Sequence, residues 1–365
     1  MSERIAQLDL RRLAPKLVVG LLVGFALLYV LALAQPAPDI GGNWRTTTFG
    51  SAIDDWQSFT RTLLNGLTFA GLLFIVASGF SLIFGLMRVV NMAHGSFYLL
   101  GGYIAYEVQQ KMTGSGYSIA GVEVNTWEWV FPAMIAAATI GLVGLVVQQV
   151  FLRWNQGQEL RQALITIALS VIIADQILAH FNEGIASSVT WPGWTNRLVE
   201  LPLLGIEYSL ARLIVLFLGL AVGLGLWIWL YRTRTGMVIR AGVDDRQMTS
   251  ALGVNIQLTF AIAFVVGSSL AAFGGAVGAS QGAVAAGQDG QWLLNSLVVV
   301  IIGGLGSLLG AAAGSLLYGL VFSFSAVYLP TIGGNCCTQY SIVFTFVLLA
   351  LVLAFRPQGL FGRFS

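Results

Sequence analysis

The sequence predicts an all-α fold, a polytopic bundle of transmembrane helices, and three observations support this prediction. Of the 365 residues, 57% are hydrophobic and only 9% are charged, and the mean hydropathy is +0.82. A soluble domain carries about a quarter charged residues, so this chain has too few polar groups to cover a surface in water. Its apolar residues also fall into stretches of about 20 residues, the length of a helix that crosses a bilayer core.

About ten such stretches follow one another, separated by polar, glycine- or proline-containing breaks. The first has a basic start and ends in small residues, so cleavage of residues 1–34 as a signal peptide stays open beside a membrane helix. We divide the chain into 1–60, with the N-terminal tail, first helix and outside segment, and 61–365, a transmembrane domain with a cytoplasmic loop at 232–256. The predicted spans are 17–35, 61–87, 92–110, 130–152, 163–181, 210–231, 257–281, 292–313, 315–330 and 340–355.

The distribution of basic residues predicts the orientation. With a cytoplasmic N-terminus, thirteen of the 18 Lys and Arg residues fall in inside segments and five outside. Cytoplasmic loops of membrane proteins carry the excess of positive charge, so both termini are predicted to be cytoplasmic. The inside residues are Arg4, Arg11, Arg12, Lys16, Arg88, Arg153, Arg161, Arg232, Arg234, Arg240, Arg246, Arg356 and Arg363.

The 44 glycines predict close packing and broken helices. Rows at four-residue spacing, such as Gly306, Gly310 and Gly314, place small residues on one helix face and let neighbouring backbones approach. The adjacent pairs Gly274-Gly275 and Gly303-Gly304 weaken a helix and predict a break or hinge.

A few polar residues inside the spans are candidates for the substrate pathway. Asn91 and His94 lie in a polar segment that interrupts the apolar run 61–110 and predicts an unwound stretch within the bundle. Asp175, followed by Gln176, lies in the span 163–181 and is expected to face the bundle interior, because lipid exposure of a carboxylate is costly. A packing role, as a buried hydrogen bond or a satisfied histidine, stays open for Asp175 and His94.

Several kinds of chemistry are disfavoured. Neither of the two lysines, Lys16 and Lys111, follows a glycine, so the chain lacks the Gly-Lys-Ser/Thr of a phosphate-binding loop and is not predicted to be an ATPase. Adjacent Cys336 and Cys337 form neither a disulfide framework nor a metal-ligand spacing, and their redox state stays open. The net charge of +2 does not indicate nucleic-acid binding. We expect no cofactor or metal in this chain.

The longest inside loop predicts one or two short helices against the membrane. Gly236 precedes helix-compatible residues and Gly253 is a suitable stop. Apolar side chains such as Met237 and Met248 are expected to pack under the bundle, while Arg240 and Asp244 face outward.

Four motifs together resemble the integral permease subunits of ABC importers of the branched-chain, or hydrophobic, amino-acid type. The resemblance runs from about residue 65 to 363. The motifs are Asn91-Met-Ala-His94-Gly95 after the helix 79–85, the loop pattern Gly236-x3-Arg240-Ala-x2-Asp244-x6-Ala251-x-Gly253-Val-Asn255, Gly303-Gly304-Leu-Gly-Ser307, and Arg356-Pro-Gln-Gly-Leu-Phe361. The first helix, the outside segment 36–60 and the cysteine pair depart from shorter members.

The resemblance implies a multi-pass protein of the bacterial inner membrane that works with partners. These would be a second homologous permease, two ATP-binding cassette subunits that bind ATP and Mg, and an extracytoplasmic substrate-binding protein. Gly236, Arg240, Asp244 and Gly253 would dock on the ATP-binding subunit. The cargo would be a branched-chain or hydrophobic amino acid, or a related small amino acid or amide, carried by alternating access.

Two alternatives to an ATP-driven importer remain. An ion-coupled secondary transporter should carry several intramembrane acids, and the predicted spans offer mainly Asp175. A passive channel for a small neutral solute fits the low charge but leaves the Arg240/Asp244 loop unexplained. On the outside, loops 36–60, 182–209 and 331–339 are expected to dock the substrate-binding protein, with Trp191 and Trp194 as interface anchors or headgroup-belt residues.

Overall fold

The computed structural model describes residues 56–88, 90–114, 124–155, 157–181, 187–202, 204–328 and 338–361, together with a short strand pair, Ala37–Pro38 with Trp44–Arg45. The predicted first span, most of 1–60 and the cysteine pair lie outside these residues. Within them the chain is predominantly helical, with one longer β-hairpin made of Leu198–Leu201 and Ile206–Ser209.

The helices follow the predicted spans closely over most of the described chain. Six of them are long and apolar enough to cross a membrane, and two shorter apolar helices lie at 289–303 and 342–355. The bounds are α1 Trp56–Met87, α2 His94–Thr113, α3 Thr126–Val146, α4 Glu159–His180, α5 Leu210–Arg232, α6 Arg234–Asp244, α7 Arg246–Ala251, α8 Ile256–Gln281, α9 Asp289–Gly303, α10 Leu308–Tyr328 and α11 Thr338–Phe355.

The core lies around α1 and α8, which pack against each other. Helix α1 also contacts α5, α9 and α10, and α8 also contacts α2 and α3. Glycines allow these helices to pack closely. A Cβ at Gly79 of α1 would collide with the Gly267 carbonyl oxygen of α8, and a Cβ at Gly275 of α8 would collide with the Tyr98 carbonyl oxygen of α2. Helices α4 and α5 lie at the periphery. Only 11% and 17% of the residues in their apolar 18-residue stretches are buried, against 72% for α1.

The two glycine pairs behave differently. At Gly303-Gly304 the helix breaks: Gly304 and Gly306 have φ of 107° and 79°, so the predicted span 292–313 is wrong and is divided between α9 and α10. The pair Gly274-Gly275 instead lies inside continuous α8, because both glycines are buried against neighbouring helices and packing holds the helix together.

Three of the sequence motifs meet at one end of the bundle. Gly306 packs with its Cα against Gly85 of α1. The N–H groups of Leu360 and Phe361 donate to the carbonyl oxygens of Ile302 and Gly303, each at 2.9 Å. The C-terminal segment therefore caps the end of α9, whose last carbonyl groups have no partner within the helix.

At the opposite end, residues 187–195 are tied to the bundle. The Gln109 side chain makes two hydrogen bonds to the Thr190 backbone. It accepts from the Thr190 N–H at 2.7 Å and donates to the Thr190 carbonyl oxygen at 2.9 Å. Trp191 stacks on Trp129 at 4.8 Å between ring centroids and donates to the Ser280 carbonyl oxygen. Trp194 is 47% exposed. Of the two tryptophans, only Trp194 is therefore well placed to meet another protein.

Candidate functional site

The polar segment after α1 turns back into the bundle. Helix α1 ends at Met87, Arg88 takes φ of 53°, and α2 begins at His94. The His94 Nε2 atom lies 3.0 Å from the carbonyl oxygen of Val76, a residue about 16 Å before the end of α1 by helical rise. Helix α2 therefore starts deep within the bundle, and the segment that leads to it is unwound, as the sequence predicts.

His94 and Asn91 are both buried, with 0% and 3% of their surface exposed, and each retains a free polar atom. His94 Nε2 donates to the Val76 carbonyl, and the ring packs edge-on against Phe80 at 5.2 Å. Asn91 Oδ1 accepts from the Ala93 N–H at 3.1 Å. Among the described residues, His94 Nδ1 and Asn91 Nδ2 have no partner. His94 thus has the contact expected of a packing histidine, while Asn91 presents an unused donor.

An acidic residue that the sequence analysis did not select joins this region. Ser96 donates to Asp289 Oδ2 at 3.2 Å, and the Ser96 and Ser170 hydroxyl oxygens lie 2.9 Å apart. Ser170 lies in the middle of α4, so this cluster lies about midway along that helix. Asp289 lies between the predicted spans 257–281 and 292–313, because a polar run after a glycine is typical of a loop, whereas the structure begins α9 at this residue.

The prediction that Asp175 and Gln176 face the bundle interior is wrong for the single chain. Both are exposed, and α4 instead turns Gln162, Thr166 and Ile177 inward. Asp175 follows Thr166 by nine residues, about two and a half helical turns, which places it on the opposite face. Asp175 therefore lies on the outer face of α4, apart from the Asn91–Asp289 region.

The loop 232–256 forms two short helices, each with a side-chain cap at its start. The Thr233 hydroxyl caps α6 by accepting from the Gly236 N–H at 3.1 Å, and Asp245 caps α7 by accepting from the Met248 N–H at 2.9 Å. Gly236 fits closely over α5, where a Cβ would collide with the Trp229 carbonyl oxygen. Gly253 has φ of 84° and follows the end of α7, as the predicted stop.

The side chains of this loop differ from the expectation. Ile239 makes the contact with the bundle, next to Leu86 and Leu230, so Met237 and Met248 remain 51% and 60% exposed rather than packed beneath it. The reason is that the inward face of α6 passes through Gly236 and Ile239, which turns Met237 away.

Arg240 is half-buried rather than directed outward. Its guanidinium carbon lies 4.4 Å from the centroid of the Tyr231 ring, a cation–π contact. Its Nε atom is buried without a partner among the described residues. Asp244 ends α6, and its side chain lies outside the described part. The loop thus has exposed methionines beside an arginine whose Nε has no hydrogen-bond partner in the described chain, a surface suited to binding another protein.

Residues 278–282 have the Gly-x-Ser-x-Gly spacing of a hydrolase nucleophile, but their geometry is different. Ser280 lies in the last turn of α8, donates to the Ala276 carbonyl oxygen and accepts from Trp129 Nε1 at 2.8 Å. A nucleophile elbow requires a sharp turn between a strand and a helix. Ser280 therefore serves packing.

Comparison with known proteins places these features in a family. Residues 62–353 match the family model described as the permease component of a branched-chain amino acid transport system. The chain is 28% identical over 310 residues to BraD, a high-affinity branched-chain amino acid transport system permease protein of Pseudomonas aeruginosa, covering 84% of this chain and 96% of that protein. It is also 28% identical to the corresponding LivH of Escherichia coli strain K12, with the same coverage.

Likeness to solved structures is weaker. A chain of PsaBC from Streptococcus pneumoniae in complex with Fab superposes with a TM-score of 0.45 at 11% identity, covering 84% of this chain and 95% of that chain. The region that matches the family model spans most of the chain and includes the unwound segment, the α6–α7 loop and the Gly303–Ser307 break. The chain belongs to the family of permease components of branched-chain amino acid transport systems.

Proposed function

We propose that this chain forms the translocation path for branched-chain or hydrophobic amino acids, or a related small amino acid or amide, in an ATP-driven importer of the bacterial inner membrane. ATP and Mg would bind to two ATP-binding cassette subunits, and transport would proceed by alternating access. The observation that carries the proposal is the α6–α7 loop: exposed Met237 and Met248 flank half-buried Arg240 on a short helix pair seated on α1 and α5. Family membership supports the same assignment.

Asn91 and His94 would line the path, and Gly236, Arg240, Asp244 and Gly253 would shape the docking loop. Purification of the tagged chain from native membranes in mild detergent tests the assembly. We expect an ATP-binding cassette protein and a second permease to co-purify. Isolation of the chain alone, with full transport activity in vesicles, would contradict the proposal.

A second permease subunit would cover the outer face of α4. Asp175 and Gln176 lie there among exposed apolar residues such as Leu164 and Val171. A carboxylate facing lipid costs about 2.5–3.5 kcal/mol at mid-bilayer, so a protein or aqueous surface against this face would be more stable. In the assembled importer, Asp175 and Gln176 would then border the path at the subunit interface.

Asp175→Leu is expected to preserve insertion, because it makes an exposed face more apolar, and to weaken association of the two permeases. The measurement is the amount of second permease recovered with the tagged variant, with Leu164→Ala on the same face as the control for a mild change. Full recovery together with unchanged uptake would show that Asp175 lies away from the interface.

The outside surface around Trp194 would dock the substrate-binding protein. Trp194→Ala is expected to lower the ATP hydrolysis that the binding protein stimulates, because Trp194 is exposed and its Nε1 is held by Thr126 at 3.0 Å, while the basal rate stays unchanged. Trp191→Ala is the comparison: it removes a stacking contact on Trp129 and should lower stability instead. Unchanged stimulated and basal rates for Trp194→Ala would assign this residue to the lipid headgroup layer.

A further inference from the structure

A carboxylate and two hydroxyls meet beside the middle of α4. Asp289 begins α9, is half-buried, and accepts from Ser96, which contacts Ser170 in the middle of α4. Among the described residues, no lysine, arginine or histidine forms an ion pair with Asp289. A carboxylate at this depth is costly unless it faces protein or water, and such residues mark the paths of polar substrates.

The same region offers donors for a negative group. Asn91 is almost fully buried, and its Nδ2 has no partner in the described chain. Helix α2 begins three residues later, with no side-chain hydrogen bond from its N-cap residue Ala93, and the N-terminal end of a helix attracts anions. Asn91 lies before the start of α2 and Ser96 lies in its first turn. The unpaired Asn91 amide and the Ser96 hydroxyl that donates to Asp289 therefore belong to one short segment.

An apolar surface lies beside the charge. Trp292 follows Asp289 by three residues, on the same face of α9. Its ring is half-buried and stacks on Tyr98 at 4.0 Å between centroids. The carboxylate and the aromatic ring of α9 therefore both lie against the first turns of α2, the helix that Asn91 precedes.

We propose that this cluster binds the zwitterionic head group of a hydrophobic amino acid midway across the membrane. Asp289 accepts hydrogen bonds from the α-ammonium group with the help of Ser96 and Ser170. Asn91 and the start of α2 donate to the α-carboxylate, and Trp292 contacts the side chain. This inference rests on the proposed function and adds the residues that satisfy both charges of the cargo.

The test uses the complete importer, with its substrate-binding protein, in vesicles. Asp289→Asn is expected to lower L-leucine uptake about tenfold, because it weakens the charge-assisted hydrogen bonds to the ammonium group, while ATP hydrolysis stimulated by the binding protein persists. Asp289→Glu should recover much of the uptake because it restores the charge. Glu107→Gln is the matched control, since Glu107 is an exposed acid of α2 paired with Lys111, and it should leave uptake unchanged. Equal uptake by Asp289→Asn and the wild type would overturn the site.

A second measurement is independent of uptake. In a chain with Cys336 and Cys337 replaced by serine, a thiol introduced by Ser170→Cys should react faster with a cationic than with an anionic methanethiosulfonate of similar size, because Asp289 lies nearby. L-Leucine should slow that reaction. Equal rates without protection would overturn the site even if Asp289→Asn fails to fold. A wild-type complex that does not take up L-leucine but shows the charge preference and protection would count against the proposed function and leave the site supported.

Discussion

Replacing Arg240 by glutamate is expected to abolish transport and the stimulation of ATP hydrolysis while membrane insertion stays normal. The guanidinium stacks on the exposed ring of Tyr231 from a half-buried position, and a cation–π contact of this kind is worth about 1 kcal/mol. Glutamate loses this contact and places a negative charge against the ring face, so α6 should shift on α5. The measurement is binding-protein-stimulated ATP hydrolysis by the purified complex, together with uptake in vesicles.

Arg234→Glu is the matched control, because Arg234 is an exposed arginine at the start of the same helix. It makes the same charge change without removing the stacking contact, and most of the stimulated activity should remain. Normal uptake by Arg240→Glu would contradict the assignment of this loop to energy coupling.

Gly275→Ala is expected to destabilise the bundle strongly. A Cβ at this position would collide with the Tyr98 carbonyl oxygen and lie 3.0 Å from the Gly102 nitrogen, both backbone atoms of α2. Helices α2 and α8 would have to separate, and overpacking of this kind costs about 1–3 kcal/mol. The expected result is a lower melting temperature and less monodisperse protein in detergent.

Gly225→Ala provides the same chemical change where space is available. Gly225 lies inside α5, is exposed, and has no heavy atom within 4 Å of a built Cβ. Its alanine variant should be as stable as the wild type or more stable, since alanine favours a helix over glycine. Equal stability of the two variants would mean that the close contact of α2 and α8 does not contribute to the fold.

The sequence predicts the helices well where a long apolar run is bounded by polar residues, whether the helix is buried or peripheral. The bounds of α5 and α8 differ from the predicted spans by one residue at most. The break between α9 and α10 was indicated by its glycines but could not be placed, because Gly274-Gly275 shows the same pattern inside a continuous helix. The difference lies in packing against neighbours, which no local pattern contains.

The candidate site was predictable only in part. Asn91 and His94 interrupt an apolar run, so their place inside the bundle could be inferred from the cost of lipid exposure. Asp175 satisfied the same argument but faces away from the core, because a peripheral helix can present a charge to a partner that the sequence does not show. Asp289 was missed because a half-helix that begins within the membrane resembles an outside loop.

Uptake of radiolabelled L-leucine into vesicles that enclose ATP tests the central claim most directly. The vesicles contain the chain with its co-purified partners, and the substrate-binding protein is added outside. An importer subunit predicts uptake that requires enclosed ATP, the binding protein and the partner subunits, and that does not respond to proton or sodium gradients. Uptake by the chain alone, driven by such a gradient and indifferent to ATP, would contradict the account.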